Sequence, residues 1–138
     1  MPKNEVIKIK PSLLPGITWF IISTILLTLP GSALPKENWL DKIWFDKWVH
    51  IGLFGIMVFL FGWGLLKKTH DNRQLKKSFL SIASSCLIYG IIMEFVQNNF
   101  IPNRSFDYGD IAADFVGCLA GWWLVNKVAS HYIKNKPL

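Results

Sequence analysis

Residues 51–66 and 79–93 contain no Asp, Glu, Lys, Arg or His. A helix at the surface of a soluble bundle needs a polar stripe that returns every turn, and neither run has one. Each is therefore read as a helix surrounded by lipid and protein, at close to the roughly 20 apolar residues that a membrane span requires. Composition agrees. Apolar residues make up 51% of the 138-residue chain and charged residues 17%, against about 25% charged in ordinary soluble domains.

Two further apolar runs flank these. One extends from Leu13 to Leu34 after a basic segment with Lys3, Lys8 and Lys10; the other opens at Asp110. The Lys residues, apolar core and Gly31-Ser32-Ala33 also match a signal peptide, but the later spans need none for insertion, so the first run is read as a span. The spans expected are about 13–34, 48–66, 79–97 and 110–126. The fold expected is an all-α polytopic membrane protein, a compact bundle of four transmembrane helices forming one domain over residues 1–138.

The net charge of +6 does not indicate nucleic-acid binding. The bases cluster between apolar runs, and no recognition module is present. Cys86 and Cys118 lack metal or redox spacing and are read as small packing residues within apolar runs.

Four spans place both termini on one side. Eleven Lys and Arg residues then fall on the side of the termini and the 67–78 connection, and four on the other. The positive-inside rule puts the eleven in the cytoplasm. Seven of the nine acids go to the outer side: Glu37, Asp41, Asp46, Glu94, Asp107, Asp110 and Asp114. Trp39, Trp44 and Trp48 dot the first outer connection, as expected of a segment at headgroup level.

In this arrangement three helices carry polar residues to one depth of the outer leaflet. Asp46 and His50 are four apart and share a helix face, where the carboxylate would orient the imidazole. Glu94 and Gln97 share a face at the end of the next span. Asp110, Asp114, Gly117 and Gly121 form one stripe, in which the Gly-x-x-x-Gly pair would draw Asp114 into the bundle. Arg104 is the one base of the third connection and the expected partner of Asp107, Asp110 or Glu94. Asp110 alone reads as a helix cap. Glu94 and Asp114 need more explanation, because a lone acid in lipid costs roughly 2.5–3.5 kcal/mol.

Such a set supports three kinds of site. His50 and Glu94 could carry protons in acid–base catalysis. The carboxylates and His50 could hold a divalent metal, although no metal signature of fixed spacing is present. Arg104 and Lys47 could grip a phosphate or carboxylate while the acids, with Gln97, grip amines or hydroxyls.

The ordered set Asp46-Lys47-x-x-His50, Glu94-x-x-Gln97, Arg104-x-x-Asp107-x-x-Asp110, then position 114, Gly117 and Gly121, resembles the VanZ-like family of small bacterial membrane proteins. It covers about residues 40–122 in order and spacing. Members commonly carry Asn where this chain has Asp114, and Gly where it has Asn103. The resemblance implies a multi-pass protein of the inner (cytoplasmic) membrane with an outward polar cluster, linked through its namesake to teicoplanin resistance.

The leading expectation is a protein that binds or acts on a lipid headgroup, lipid-linked cell-wall precursor or lipophilic glycopeptide at the outer leaflet. The alternatives are an intramembrane acid–base enzyme using His50 and Glu94, and a structural subunit whose polar cluster is a folding staple.

Overall fold

The computed structural model describes residues 12–35, 38–66 and 71–134. Lys3, Glu5, Lys8, Lys10, Lys36, Glu37, Lys67, Lys68 and Lys136, which enter the charge count above, lie outside them. The described residues are helical, with no strand: α1 Leu14–Leu27, a 3-10 turn Gly31–Ala33, a short α2 Asn38–Lys42, α3 Phe45–Leu65, α4 Asn72–Phe100 and α5 Tyr108–Lys134. The all-helical architecture matches the expected fold class. Three helices, α3, α4 and α5, are long and apolar enough to cross a membrane, and α1 is a shorter apolar helix.

The ends of these helices have local causes. α1 stops at Leu27, short of the span expected to residue 34. Pro30 has no N–H to continue the helix, and the chain turns instead so that Gly31 N–H donates to Pro102 O at 3.0 Å. At about 1.5 Å per residue, the 14 residues of α1 extend roughly 21 Å. α3 begins at Phe45, three residues before the expected span, after Trp44 takes a left-handed conformation (φ 52°). That earlier start places Asp46 and Lys47 on the same helix as His50.

α4 runs 29 residues and overshoots its expected span at both ends. Asp71 caps it by accepting from Arg73 N–H at 2.9 Å, and no Pro interrupts it before Pro102. α5 begins at Tyr108 because the Asp107 carboxylate accepts from Gly109 N–H at 2.6 Å, an N-cap of the usual kind. The cap is therefore Asp107, and Asp110, read from sequence as the cap, is released for other contacts.

α3 is the central helix. It packs on α1, α4 and most extensively α5, and its Phe54, Met57 and Val58 are almost wholly enclosed. The close approach of α3 to α5 depends on glycine. A Cβ on Gly117 would lie 2.5 Å from Ile51 O, and one on Gly121 would collide with Gly55 O. The Gly-x-x-x-Gly face thus packs inside one chain. The outside of the bundle is apolar, with Ile17, Ile21, Ile25, Leu80, Ile88, Ile92, Leu119 and Trp123 all exposed. An exposed apolar surface of this extent suits lipid rather than water. Trp39 and Trp44, on the segment that leads into α3, and Trp48, in its first turn, are also exposed.

Candidate functional site

The first turns of α3 and α5 and the last turns of α4 meet at one end of the bundle, and there Asp46, Glu94, Asp107, Asp110 and Asp114 converge. Lys47 is their counter-ion. Its Nζ donates to Asp46 Oδ2 at 2.7 Å, to Asp110 Oδ1 at 2.7 Å and to Asp107 Oδ2. Asp107 lies in the connection before α5, and its hydrogen bond from Lys47 holds its carboxyl below the usual carboxylate range.

His50 lies one turn deeper, with its side chain 6% exposed. Its Nδ1–H donates to Asp114 Oδ1 at 2.8 Å, and its Nε2 stands 3.7 Å from Asp110 Oδ2. The orienting carboxylate is therefore Asp114, across the helix–helix contact, and not Asp46 on the same helix. Asp46 is mostly exposed and turns to Lys47. Asp114 fits because Gly90 of α4 has no side chain: a Cβ there would strike Asp114 Oδ2. That oxygen is buried without a hydrogen-bond partner among the described residues. Glu94 is likewise enclosed, and its Oε2 accepts from Asp107 N–H at 2.9 Å.

Two expected members of the set are placed elsewhere. Gln97 is buried but turned to α1, where its Nε2 donates to Leu27 O at 2.8 Å. It satisfies a carbonyl left open at a helix end and ties α4 to α1. Arg104 pairs with none of Asp107, Asp110 or Glu94. Lys47 and the Asp107 backbone already occupy those acids, and the loop is held by Gly31 N–H on Pro102 O and by Phe106 N–H on Asn98 Oδ1 at 3.1 Å. Arg104 makes no ion pair or hydrogen bond among the described residues. It borders a groove of about 300 Å³ whose walls include Leu26, Leu27, Phe45, Val49 and Leu53, with Asp41, Asp46 and His50 also lining it.

Sequence reasoning did not single out Asp41 or Gly90 as part of this region. Asp41 was visible as an outward acid in the first connection. Gly90 carried no signal of its own in the sequence, because its role depends on a carboxylate from another helix.

The arrangement has clear chemical capacities. Among the described residues, five carboxylates surround one ammonium and one imidazole. The excess of negative charge favours a cation or protons. The His50–Asp114 pair fixes an imidazole whose second nitrogen is left without a hydrogen bond. The groove combines a guanidinium with an apolar wall.

Long apolar helices around a polar cluster buried at one end of the bundle define a helical membrane protein. The family profile described as VanZ/LLP1 matches residues 5–129, and the chain belongs to that family. Searches of curated proteins and of solved structures found no significant match.

Proposed function

We propose that this protein resides in the bacterial cytoplasmic membrane as a multi-pass protein with both termini inside, and that it binds an amphiphile with an anionic headgroup at the outer leaflet. The observation that carries this reading is the groove beside α1 and α3. Its leucines, Phe45 and Val49 offer an apolar wall for a chain, and Arg104 borders it with no ion pair among the described residues. Guanidinium is suited to planar, two-pronged recognition of phosphate or carboxylate. Membrane phospholipids, lipid-linked cell-wall precursors and lipophilic glycopeptides share this chemistry, an acidic head on an apolar tail, and the link to teicoplanin resistance is consistent with it.

The test is native mass spectrometry of purified protein with defined lipids. Anionic lipids and lipid-linked phosphates should give stoichiometric adducts that neutral lipids do not, and Arg104→Ala should lose them while melting as the parent does. Adducts that persist unchanged in Arg104→Ala would refute the assignment. Orientation is tested by single-cysteine labelling at position 104. Labelling from outside is expected, and labelling only from the cytoplasm would overturn the outer-leaflet placement. Cys86 and Cys118 are buried and should stay silent in the folded protein.

The His50–Asp114 hydrogen bond favours a second reading, an acid–base enzyme that uses His50 and Glu94. It requires an altered lipid or precursor pool when Glu94→Gln replaces the parent at equal abundance.

A further inference from the structure

Two groups of metal-capable side chains lie at the site. The first is Asp46, Asp107 and Asp110, and its cation is already supplied by Lys47 Nζ. The second is His50, Glu94 and Asp110. All three are buried, and each offers a ligand atom within 4.8 Å of the others. No ammonium or guanidinium contacts His50 or Glu94 among the described residues.

A second observation points to a ligand in this group. Asp114 Oδ1 accepts a hydrogen bond from His50 Nδ1–H at 2.8 Å. In the neutral ring the lone pair is then on Nε2, which makes no hydrogen bond among the described residues and lies 3.7 Å from Asp110 Oδ2 in a side chain 6% exposed. A carboxylate holding the far nitrogen of an imidazole is the usual outer support of a metal-bound histidine. The surroundings agree, since Glu94 and Asp114 are 1% exposed, and among the described residues neither meets an ammonium or guanidinium, Asp114 being paired to the His50 imidazole.

We propose that His50 Nε2, Glu94 and Asp110 form a site for a divalent transition metal, with Asp114 as the outer carboxylate that orients the imidazole. One imidazole and two carboxylates suit Zn²⁺ or Mn²⁺, and the general order of affinities puts Zn²⁺ ahead. In a four-coordinate arrangement with one open position, metal–ligand bonds of about 2.0–2.2 Å put donor pairs about 3.3–3.6 Å apart, so the most widely spaced donors, which lie within 4.8 Å of one another, close by up to about 1.5 Å on binding. Cys86 and Cys118 belong to the apolar core and do not join the set. His50 also lines the groove, which provides a route of entry. Three protein ligands leave the ion an open position.

The experiment uses the full chain, purified with an affinity tag that contains no histidine, stripped with chelator and titrated with Co²⁺ and then Zn²⁺ in nanodiscs. One Co²⁺ per chain is expected, with visible ligand-field bands, no thiolate band, and displacement by Zn²⁺. His50→Ala and Glu94→Gln should weaken binding at least about tenfold, and Asp114→Asn roughly 10–100-fold as an outer-support change. His131→Ala should bind as the parent does, and Trp fluorescence melting reports whether each variant is folded. If His50→Ala does not fold, pulsed EPR of the parent loaded with Cu²⁺ decides: one coordinated imidazole supports the site, and none overturns it. Absence of a stoichiometric ion, or loss in His131→Ala with retention in His50→Ala, also overturns it. The metal and groove assignments fail separately, because Arg104→Ala should lose lipid adducts and keep the ion.

Discussion

The contact between α3 and α5 sets the distance across which His50 reaches Asp114, and Gly117 is where that contact can be perturbed most cleanly. In Gly117→Ala the added Cβ would sit 2.5 Å from Ile51 O and 3.1 Å from both Ile51 Cα and Gly55 N. All three are backbone atoms, so no side chain can swing away. Ordinary contact begins at 3.4 Å, and the two helices must part by about 0.9 Å; overpacking of this kind costs typically about 1–3 kcal/mol. Gly52→Ala is the matched control, because a Cβ there meets nothing within 4 Å. Both changes gain the same helix propensity, up to about 1 kcal/mol in water, and their difference isolates packing. Equilibrium unfolding in mixed micelles, followed by Trp fluorescence, should find Gly117→Ala less stable than Gly52→Ala by about 1–3 kcal/mol. Ile51 is next to His50, and Gly117 is one turn from Asp114. The separation should therefore also break the 2.8 Å imidazole–carboxylate bond. Two variants equal within about 0.5 kcal/mol, the spread of neutral substitutions, would refute the claim that this close approach is required.

Three other changes follow from the same geometry. Lys47→Met removes the one ammonium among Asp46, Asp107 and Asp110 and should cost at least about 1–3 kcal/mol by leaving Asp110 unpaired, with Lys47→Arg recovering part of the loss in the same assay. Gln97→Leu deletes the bond to Leu27 O and should destabilise by about 1 kcal/mol; hydrogen exchange should rise in the last turn of α1 and stay unchanged in α5. Gly90→Ala should be strongly coupled to Asp114→Ala, since the new Cβ meets the carboxylate that the second change removes. A double mutant more stable than the two single losses predict is expected from a thermodynamic cycle.

Much of this molecule was legible from spacing. The uncharged runs 51–66 and 79–93 identified α3 and α4, and the four, three and four spacing from Asp110 to Gly121 identified the buried stripe of α5. What spacing did not reveal was pairing. Asp46 and His50 do share a helix, yet the imidazole is bound by Asp114, because the glycine contact brings α5 closer to His50 than the Asp46 carboxylate on its own helix. Likewise, a lone arginine in an acidic loop suggested an ion pair, but Lys47 is rooted on α3, and Asp46, Asp107 and Asp110 all meet it there.

The position of Arg104 follows from contacts still more distant in sequence. The turn after α1 reaches across to Pro102, and a Cβ on Gly31 would collide with Asn103 O, so only glycine lets the two backbones meet this closely. Asn103 is itself left-handed, at φ 58°, a conformation that Asn tolerates better than most residues. On the other flank, Asn98 and Glu94 accept from Phe106 and Asp107 N–H. With the loop held at both ends, Arg104 is directed to the α1–α3 groove and away from the acids three and six residues after it. The pairing of Lys47 and the absence of an ion pair at Arg104 among the described residues are thus one result. The lysine engages the acids nearest the loop, which allows the loop to present a guanidinium beside an apolar wall, the arrangement on which the proposed recognition of an anionic amphiphile rests.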